Sequence, residues 1–125
     1  MAVVLGTHAP VVNRYIAALS YAPKEHLEHV TGDFGEDEYA DLQRVVHRVA
    51  EALRRAVPTE RLYILSLGSQ QGNRHVHWHL VPLPPGVPYE EQQLAALDWG
   101  RAGVIELTDE ERAHLGARIR AEVAG

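Results

Sequence analysis

Apolar positions along the chain follow two periods, which divide it into helical and extended segments. Between residues 36 and 56, apolar residues recur every three or four positions, the period of an amphipathic helix, and Pro58 follows. Residues 14–22 and 61–67 are rich in apolar residues, and residues 75–81 alternate with a period of two, as a strand does. The pattern therefore predicts a long helix at 36–56 and strands at 14–22, 61–67 and 75–81.

Shorter signals complete the outline. Residues 89–97 are predicted to form a short helix. Thr108 and Glu111 have the spacing of a capping box, and Asp33 with Glu36 is a weaker pair of the same kind. The helix behind Thr108 carries an apolar stripe at Leu115, Ile119 and Val123. Because strands and helices mix without a βαβ rhythm, we expect an α+β fold.

Length and composition narrow the class of protein. The 125 residues, 46% apolar and 23% charged, are expected to form one domain over 1–125. A net charge of −5 argues against general binding to a nucleic acid polymer or an anionic membrane. No segment reaches the roughly 18–20 apolar residues that span a bilayer. The chain has no cysteine, which excludes thiol chemistry and fits the cytoplasm, the localisation we expect.

The informative residues are the histidines of the segment 75–81. In a strand, His75, His77 and His79 project from one face, because residues two apart share a face. The opposite face is apolar and has the character of core, with Val76, Trp78 and Leu80. Imidazole is the side chain that titrates closest to neutrality, so this row can supply a nucleophile, an acid, a base or a phosphate donor.

Three interpretations of this row are open. The histidines can simply lie on a solvated face. They can bind a metal, with further ligands from His26, His29, His47 or a carboxylate, although the outer two Cα atoms of the row lie roughly 13 Å apart in a straight strand. They can also serve phosphoryl or nucleotidyl chemistry. Residues 68–74 favour the third interpretation, because they place amide donors and glycines directly before the row.

The segment His75-Val-His-Trp-His-Leu-Val81, followed by Pro82, resembles the defining pattern of the histidine-triad family of nucleotide hydrolases and transferases, His-φ-His-φ-His-φ-φ with φ apolar. Gln71 matches the family's phosphate-contacting glutamine, and Pro23-Lys-Glu-His26 resembles its Pro-Lys-x-His. The resemblance covers about residues 7–82, and residues 83–125 form a C-terminal extension without a matching motif.

The resemblance implies a fold and a mechanism. The fold is an antiparallel sheet meander with the triad on a central strand, a long helix packed on the sheet and a C-terminal helix, usually in a homodimer. His77 would attack the α-phosphorus of a nucleoside phosphoramidate or dinucleoside polyphosphate, forming a nucleotidyl-histidine that water hydrolyses. His79 would donate to the phosphate or leaving group, and His75 would position His77. Substrate-binding residues would be His75, His79, Gln70, Gln71, Gly72 and Asn73.

No cofactor and no metal are expected for this chemistry. The chain departs from the family in having Ser66 where members often carry asparagine, and in lacking the Gly-His pair that usually opens the earlier strand. The alternative to an enzyme is a non-enzymatic nucleotide-binding protein on the same fold. A His-ligated metal hydrolase is the third possibility.

Overall fold

Antiparallel strands and two long helices build the fold. The computed structural model describes residues 19–21, of which only the backbone is considered, and residues 26–68, 74–98 and 107–125. The elements in chain order are β1 (Leu19–Tyr21), α1 (Glu36–Ala56), β2 (Arg61–Leu65), β3 (Trp78–Leu83), a 3-10 turn (Tyr89–Glu91), α2 (Leu94–Leu97) and α3 (Asp109–Ala124). The predicted α+β class is confirmed.

β3 is the middle strand of the described sheet, whose order is β1-β3-β2 with both pairings antiparallel. At its N-terminal end, His79 lies opposite Ser20 on one side and Leu65 on the other. A middle strand is held by hydrogen bonds from two neighbours, so it is a rigid carrier for the side chains that it presents.

The core lies between α1, β3 and α3. The apolar stripe predicted for residues 36–56 becomes the buried face of α1, which has the predicted bounds. This face packs against the apolar side of the histidine segment and against Ile119 of α3. The larger members of this core are 0–3% exposed and comprise Leu42, Val46, Val49, Leu53, Val76, Trp78, Leu80 and Ile119.

The two predicted capping boxes have different outcomes. Thr108 and Glu111 form the box at the start of α3, with Oγ1 accepting from the Glu111 N–H at 3.1 Å and Oε2 accepting from the Thr108 N–H at 2.7 Å. The predicted capping box of Asp33 and Glu36 is wrong, because α1 begins after Gly35 without a side-chain cap. The carboxylate of Asp33 instead binds the turn that precedes the helix.

The ends of two predicted strands also change. The predicted strand 61–67 is shorter, since β2 ends at Leu65. β3 continues through Pro82 instead of ending before it. In the described sheet Leu19, the first residue of β1, lies opposite Leu80, and Pro82 lies opposite Leu62 of β2.

The predicted helix 89–97 is wrong as a single element. It is divided into the 3-10 turn and α2 at Gln93, whose φ of 55° is incompatible with a continuous helix. The Gln93 N–H donates to the Tyr63 hydroxyl at 2.7 Å, which stabilises this backbone conformation.

The packing of α1 makes a stability prediction. Leu53 is fully buried, so we expect Leu53→Ala to lower the free energy of unfolding by about 2–5 kcal/mol through lost apolar contacts and a cavity. The exposed Arg118 of α3 is the control, and Arg118→Ala should change the free energy of unfolding by less than about 0.5 kcal/mol. Urea unfolding followed by circular dichroism measures both, and equal effects would contradict the packing described here.

Candidate active site

The three histidines of the segment 75–81 lie at the entry to the middle strand. The regular ladder begins only at Trp78, so His75 and His77 precede β3, in contrast to the predicted strand, and only His79 lies within it. The alternation of faces nevertheless continues through the segment, because the residues between the histidines stay buried in the core. The rings of His77 and His79 meet edge to face, with centroids 4.8 Å apart and planes at 82°.

One peptide unit fixes the ring of His77. The Nδ1 atom of His77 lies 2.9 Å from the carbonyl oxygen of His75, and the N–H of the same peptide unit, from Val76, donates to the Leu27 carbonyl at 2.6 Å. A carbonyl can only accept a hydrogen bond, so Nδ1 of His77 carries the proton. In the neutral ring, Nε2 then holds the free lone pair.

The main-chain carbonyl of His77 is also held. The Ser66 hydroxyl donates to this oxygen at 2.6 Å, across the gap between the end of β2 and the start of β3. Serine therefore supplies a donor at the position where the resembled family often carries asparagine. His77 is only 6% exposed, so the interpretation of the row as a solvated face is wrong for its middle member.

His75 meets a fourth histidine. Its Nε2 lies 3.4 Å from Nδ1 of His26, and the two rings are in edge contact with centroids 4.4 Å apart. The Nδ1 atoms of His75 and His79 are buried and have no hydrogen-bond partner among the described residues. Buried polar atoms are usually hydrogen-bonded, so these two ring nitrogens call for partners other than the described residues.

Solved structures that resemble this chain share one fold. A histidine triad protein from Sinorhizobium meliloti 1021 aligns with a TM-score of 0.69 at 23% identity, covering 89% of this chain and 78% of its own. A hypothetical histidine triad nucleotide-binding protein from Sulfolobus tokodaii strain7 aligns with a TM-score of 0.61 at 24% identity, covering 92% and 72%. A histidine triad protein from Bradyrhizobium japonicum has a TM-score of 0.69 at 19% identity, covering 90% and 78%.

The chain has the histidine-triad fold. The resemblance predicted from the segment 75–81 is thereby confirmed at the level of the fold. No protein-family model matches the chain, and comparison with curated proteins gives no match.

The described residues contain no cluster of side chains that could hold a metal ion. Within residues 26–68, 74–98 and 107–125, no three His, Asp or Glu side chains are grouped as metal ligands would be. His29 and His47, two of the candidate ligands, are exposed.

Among the described residues, no helix combines the length and apolar character needed to cross a bilayer.

The predicted phosphate loop precedes the triad directly in the sequence. Gln70, Gln71, Gly72 and Asn73 lie outside the described residues, so their roles stay predictions. The loop leaves β2 through Gly68, which has a φ of +80° and approaches the Glu28 carbonyl so closely that an added Cβ would lie 3.2 Å from it. The positive φ favours glycine here, and the tight space adds to that preference.

The sequence does not reveal the role of the turn that joins Leu27 to Asp33 and contacts the triad segment. Oδ2 of Asp33 accepts hydrogen bonds from the N–H groups of Glu28 and His29 at 2.8 and 3.0 Å. These two hydrogen bonds are the main cause of the lowered pKa of Asp33. The charges of nearby histidines lower it further. A charged Asp33 therefore closes the turn that presents the Leu27 carbonyl. The only sequence signal is an aspartate in a turn-rich segment, which is also typical of a helix cap.

Burial controls the charge of His79. Desolvation lowers the pKa of His79, and the neighbouring charge of His77 lowers it further. His79 is therefore neutral at neutral pH in the free protein, and in that form it carries one N–H donor. A phosphate anion placed beside the ring would act in the opposite direction, since an anion favours the charged form.

The lowered pKa predicts a pH dependence of stability. As pH falls below about 6.5, the unfolded chain binds a proton at His79 while the folded chain does not, so this residue's contribution to the free energy of unfolding falls until pH passes the folded pKa. In His79→Gln the decline should be shallower. Urea unfolding over this range, with an NMR titration of the His79 ring, measures both. A His79 midpoint at or above the ordinary value would contradict the burial described.

Proposed function

We propose that the chain belongs to the histidine-triad family and is a nucleotide-conjugate hydrolase or transferase, acting on a nucleoside phosphoramidate or dinucleoside polyphosphate through a nucleotidyl-histidine intermediate. The observation that carries this proposal is the hydrogen bond from Nδ1 of His77 to the His75 carbonyl at 2.9 Å. It leaves the lone pair on Nε2 of a ring that the backbone holds in one orientation, which is what a nitrogen nucleophile needs.

The reaction proceeds in two displacements. Nε2 of His77 attacks the α-phosphorus, the P–N or P–O bond to the leaving group breaks, and the leaving group takes the electron pair and a proton from solvent. Water then attacks the same phosphorus, the bond to Nε2 breaks, and nucleoside monophosphate is released with the proton of water passing to solvent. The positive charge that develops on the His77 ring is stabilised by the Nδ1 bond to the carbonyl.

Other residues bind the phosphate in this proposal. His79 donates its N–H to a phosphate oxygen or to the leaving group, supported by its ring contact with His77. His75 contributes through its carbonyl and its ring. The loop residues Gln70, Gln71, Gly72 and Asn73 supply amide and main-chain donors from the sequence directly before His75. Local donors are needed, because the chain as a whole is negative.

A non-enzymatic nucleotide-binding protein is the second candidate. The similar Sulfolobus tokodaii protein is described as a hypothetical histidine triad nucleotide-binding protein, which favours nucleotide binding as the shared property. Turnover distinguishes the two, since both would bind a nucleoside monophosphate and only the enzyme would cleave its conjugates.

We further propose the cytoplasm as the place of action, which the absence of cysteine from the sequence supports.

The nucleophile is tested by His77→Asn. Asparagine keeps a polar side chain but removes the attacking nitrogen, so turnover of an adenosine phosphoramidate should fall by several orders of magnitude. Nucleoside monophosphate should still bind, measured by calorimetry. Wild-type protein trapped during turnover without acid should gain the mass of one nucleotidyl group on the peptide that carries residues 75–81.

The matched control is His114→Asn, an exposed histidine on α3, which should keep wild-type turnover. Substantial turnover by His77→Asn, or an adduct on another residue, would contradict the mechanism. Wild-type binding without turnover of any conjugate would favour the binding protein instead.

We also propose a homodimer, the usual state implied by the resemblance. In the described sheet β2 has a partner on one side only, and Ile64 and Leu67 near its end are 50% and 85% exposed. Exposed apolar residues on a strand edge are a typical association surface. Light scattering at micromolar concentration should give about twice 13.9 kDa. A stable monomer throughout that range would contradict the proposal.

A further inference from the structure

The first residues of the C-terminal extension pack on the same face of the sheet as the histidines. His79 and Leu83 both lie on β3, an even number of residues apart, so their side chains share a face. Leu83 is fully buried and packs with Val87 and with Ala96 of α2. At Leu83 the triad face of the sheet is therefore covered by the extension.

A cavity of about 300 Å³ lies where this extension meets the start of β2. It is lined by Arg61, Tyr89, Gln92 and Gln93. Arg61 is paired with Leu83 across the sheet, and residues directly opposite each other share a face. The side chain of Arg61 is thus on the triad face. Along β3, the Cα atoms of His79 and Leu83 are roughly 13 Å apart at about 3.3 Å per residue.

Two hydrogen bonds fix the guanidinium of Arg61. Nε2 of Gln92 donates to the Val87 carbonyl at 3.1 Å, and this bond orients the amide. Oε1 of the same amide then accepts from Nε of Arg61 at 3.0 Å. Within the described part of the chain, Gln92 is the only side chain that bonds to Arg61. The terminal nitrogens of Arg61 keep their N–H groups, which can bind an anion as a fork.

The backbone at the rim of the cavity has a conformation that few residues adopt. Gln93 has a φ of 55° and a ψ of −125°, a combination that favours glycine. The Tyr63 hydroxyl, which accepts from the Gln93 N–H at 2.7 Å, holds it there. Non-glycine residues in such sparsely populated regions cluster at active sites and at sites that clamp a ligand. The strain at Gln93 is therefore an independent sign of a binding site.

Tyr89 supplies an aromatic surface to the same cavity. Its side chain is 81% exposed, so its ring is accessible to a ligand. A nucleobase stacks on an exposed aromatic ring, and a guanidinium binds a phosphate through parallel N–H groups. Tyr89 and Arg61 together therefore offer the two contacts that a nucleotide needs.

We propose that this cavity is the subsite for the leaving group, and that the protein prefers dinucleoside polyphosphates to phosphoramidates of small amines. Arg61 binds a distal phosphate of the leaving nucleotide, and Tyr89 stacks on its base. The inference rests on the proposed function, in which His77 attacks the α-phosphorus. A leaving nucleotide can extend along the sheet from the triad to Arg61, whereas ammonia or a small amine is too short.

Arg61→Gln tests the subsite. It removes the charge and the fork of N–H groups but keeps a polar side chain. The selectivity is the ratio of kcat/KM for diadenosine tetraphosphate to that for adenosine phosphoramidate, and we expect this ratio to fall by roughly ten- to a hundredfold. Arg118→Gln is the matched control, because Arg118 is an exposed arginine of α3, and it should keep the wild-type ratio.

Two further variants separate orientation and stacking from charge. Gln92→Ala keeps the charge of Arg61 but frees the guanidinium, so the ratio should fall less than in Arg61→Gln. Tyr89→Leu should weaken binding of diadenosine tetraphosphate but not of adenosine tetraphosphate, which carries no second base. Equal weakening of both ligands would overturn the role of Tyr89.

Binding tests the subsite independently of turnover. In a His77→Asn background, calorimetry should show diadenosine tetraphosphate bound roughly ten- to a hundredfold more tightly than adenosine monophosphate, and adding Arg61→Gln should remove most of this difference. An unchanged affinity and an unchanged ratio in Arg61→Gln would overturn the inference, as would an equal loss of kcat/KM for both substrates. A wild-type protein that cleaves neither substrate would contradict the proposed function alone, and the calorimetric comparison would still decide on the subsite.

Discussion

The peptide unit between His75 and Val76 is the interaction on which the site depends. Its N–H donates to Leu27 at 2.6 Å, and its oxygen accepts from the His77 ring at 2.9 Å. A peptide that donates at one end is polarised and becomes a better acceptor at the other. Fixing the plane of this peptide unit therefore sets the tautomer and the orientation of the His77 ring. It also joins the triad segment to the turn that contains Leu27.

The core determines where that peptide plane can lie. Val76 and Trp78 are 0% and 3% exposed beneath α1, and Leu80 is fully buried beside them. Because side chains alternate across an extended segment, burying these three residues directs the histidines to the opposite side. A shift in register by one residue would move these apolar side chains out of the core and place imidazoles there, which costs free energy. The packing that stabilises the fold thus also selects the face of the triad.

The sequence predicted those features that depend on local period and missed those that depend on distant main-chain groups. The bounds of α1 follow from its apolar stripe, and the Thr108 box follows from its spacing. The contact of Leu27 with Val76 joins residues 49 positions apart through backbone atoms, which no side-chain pattern encodes. The prediction of Asp33 as a helix cap is wrong for a related reason, because its carboxylate accepts hydrogen bonds from the turn instead of from the helix that follows.

The electrostatics of the site favour neutral donors over fixed charge. Burial lowers the pKa of His79, and the carbonyl partner of His77 is satisfied by a neutral ring. A chain with a net charge of −5 repels a phosphate at long range, so attraction must arise at contact distance. In the proposed function, a phosphate bound beside His79 would favour the charged form of that ring against the effect of burial, and the protonation of His79 would then depend on ligand binding as well as on the pH of the solution.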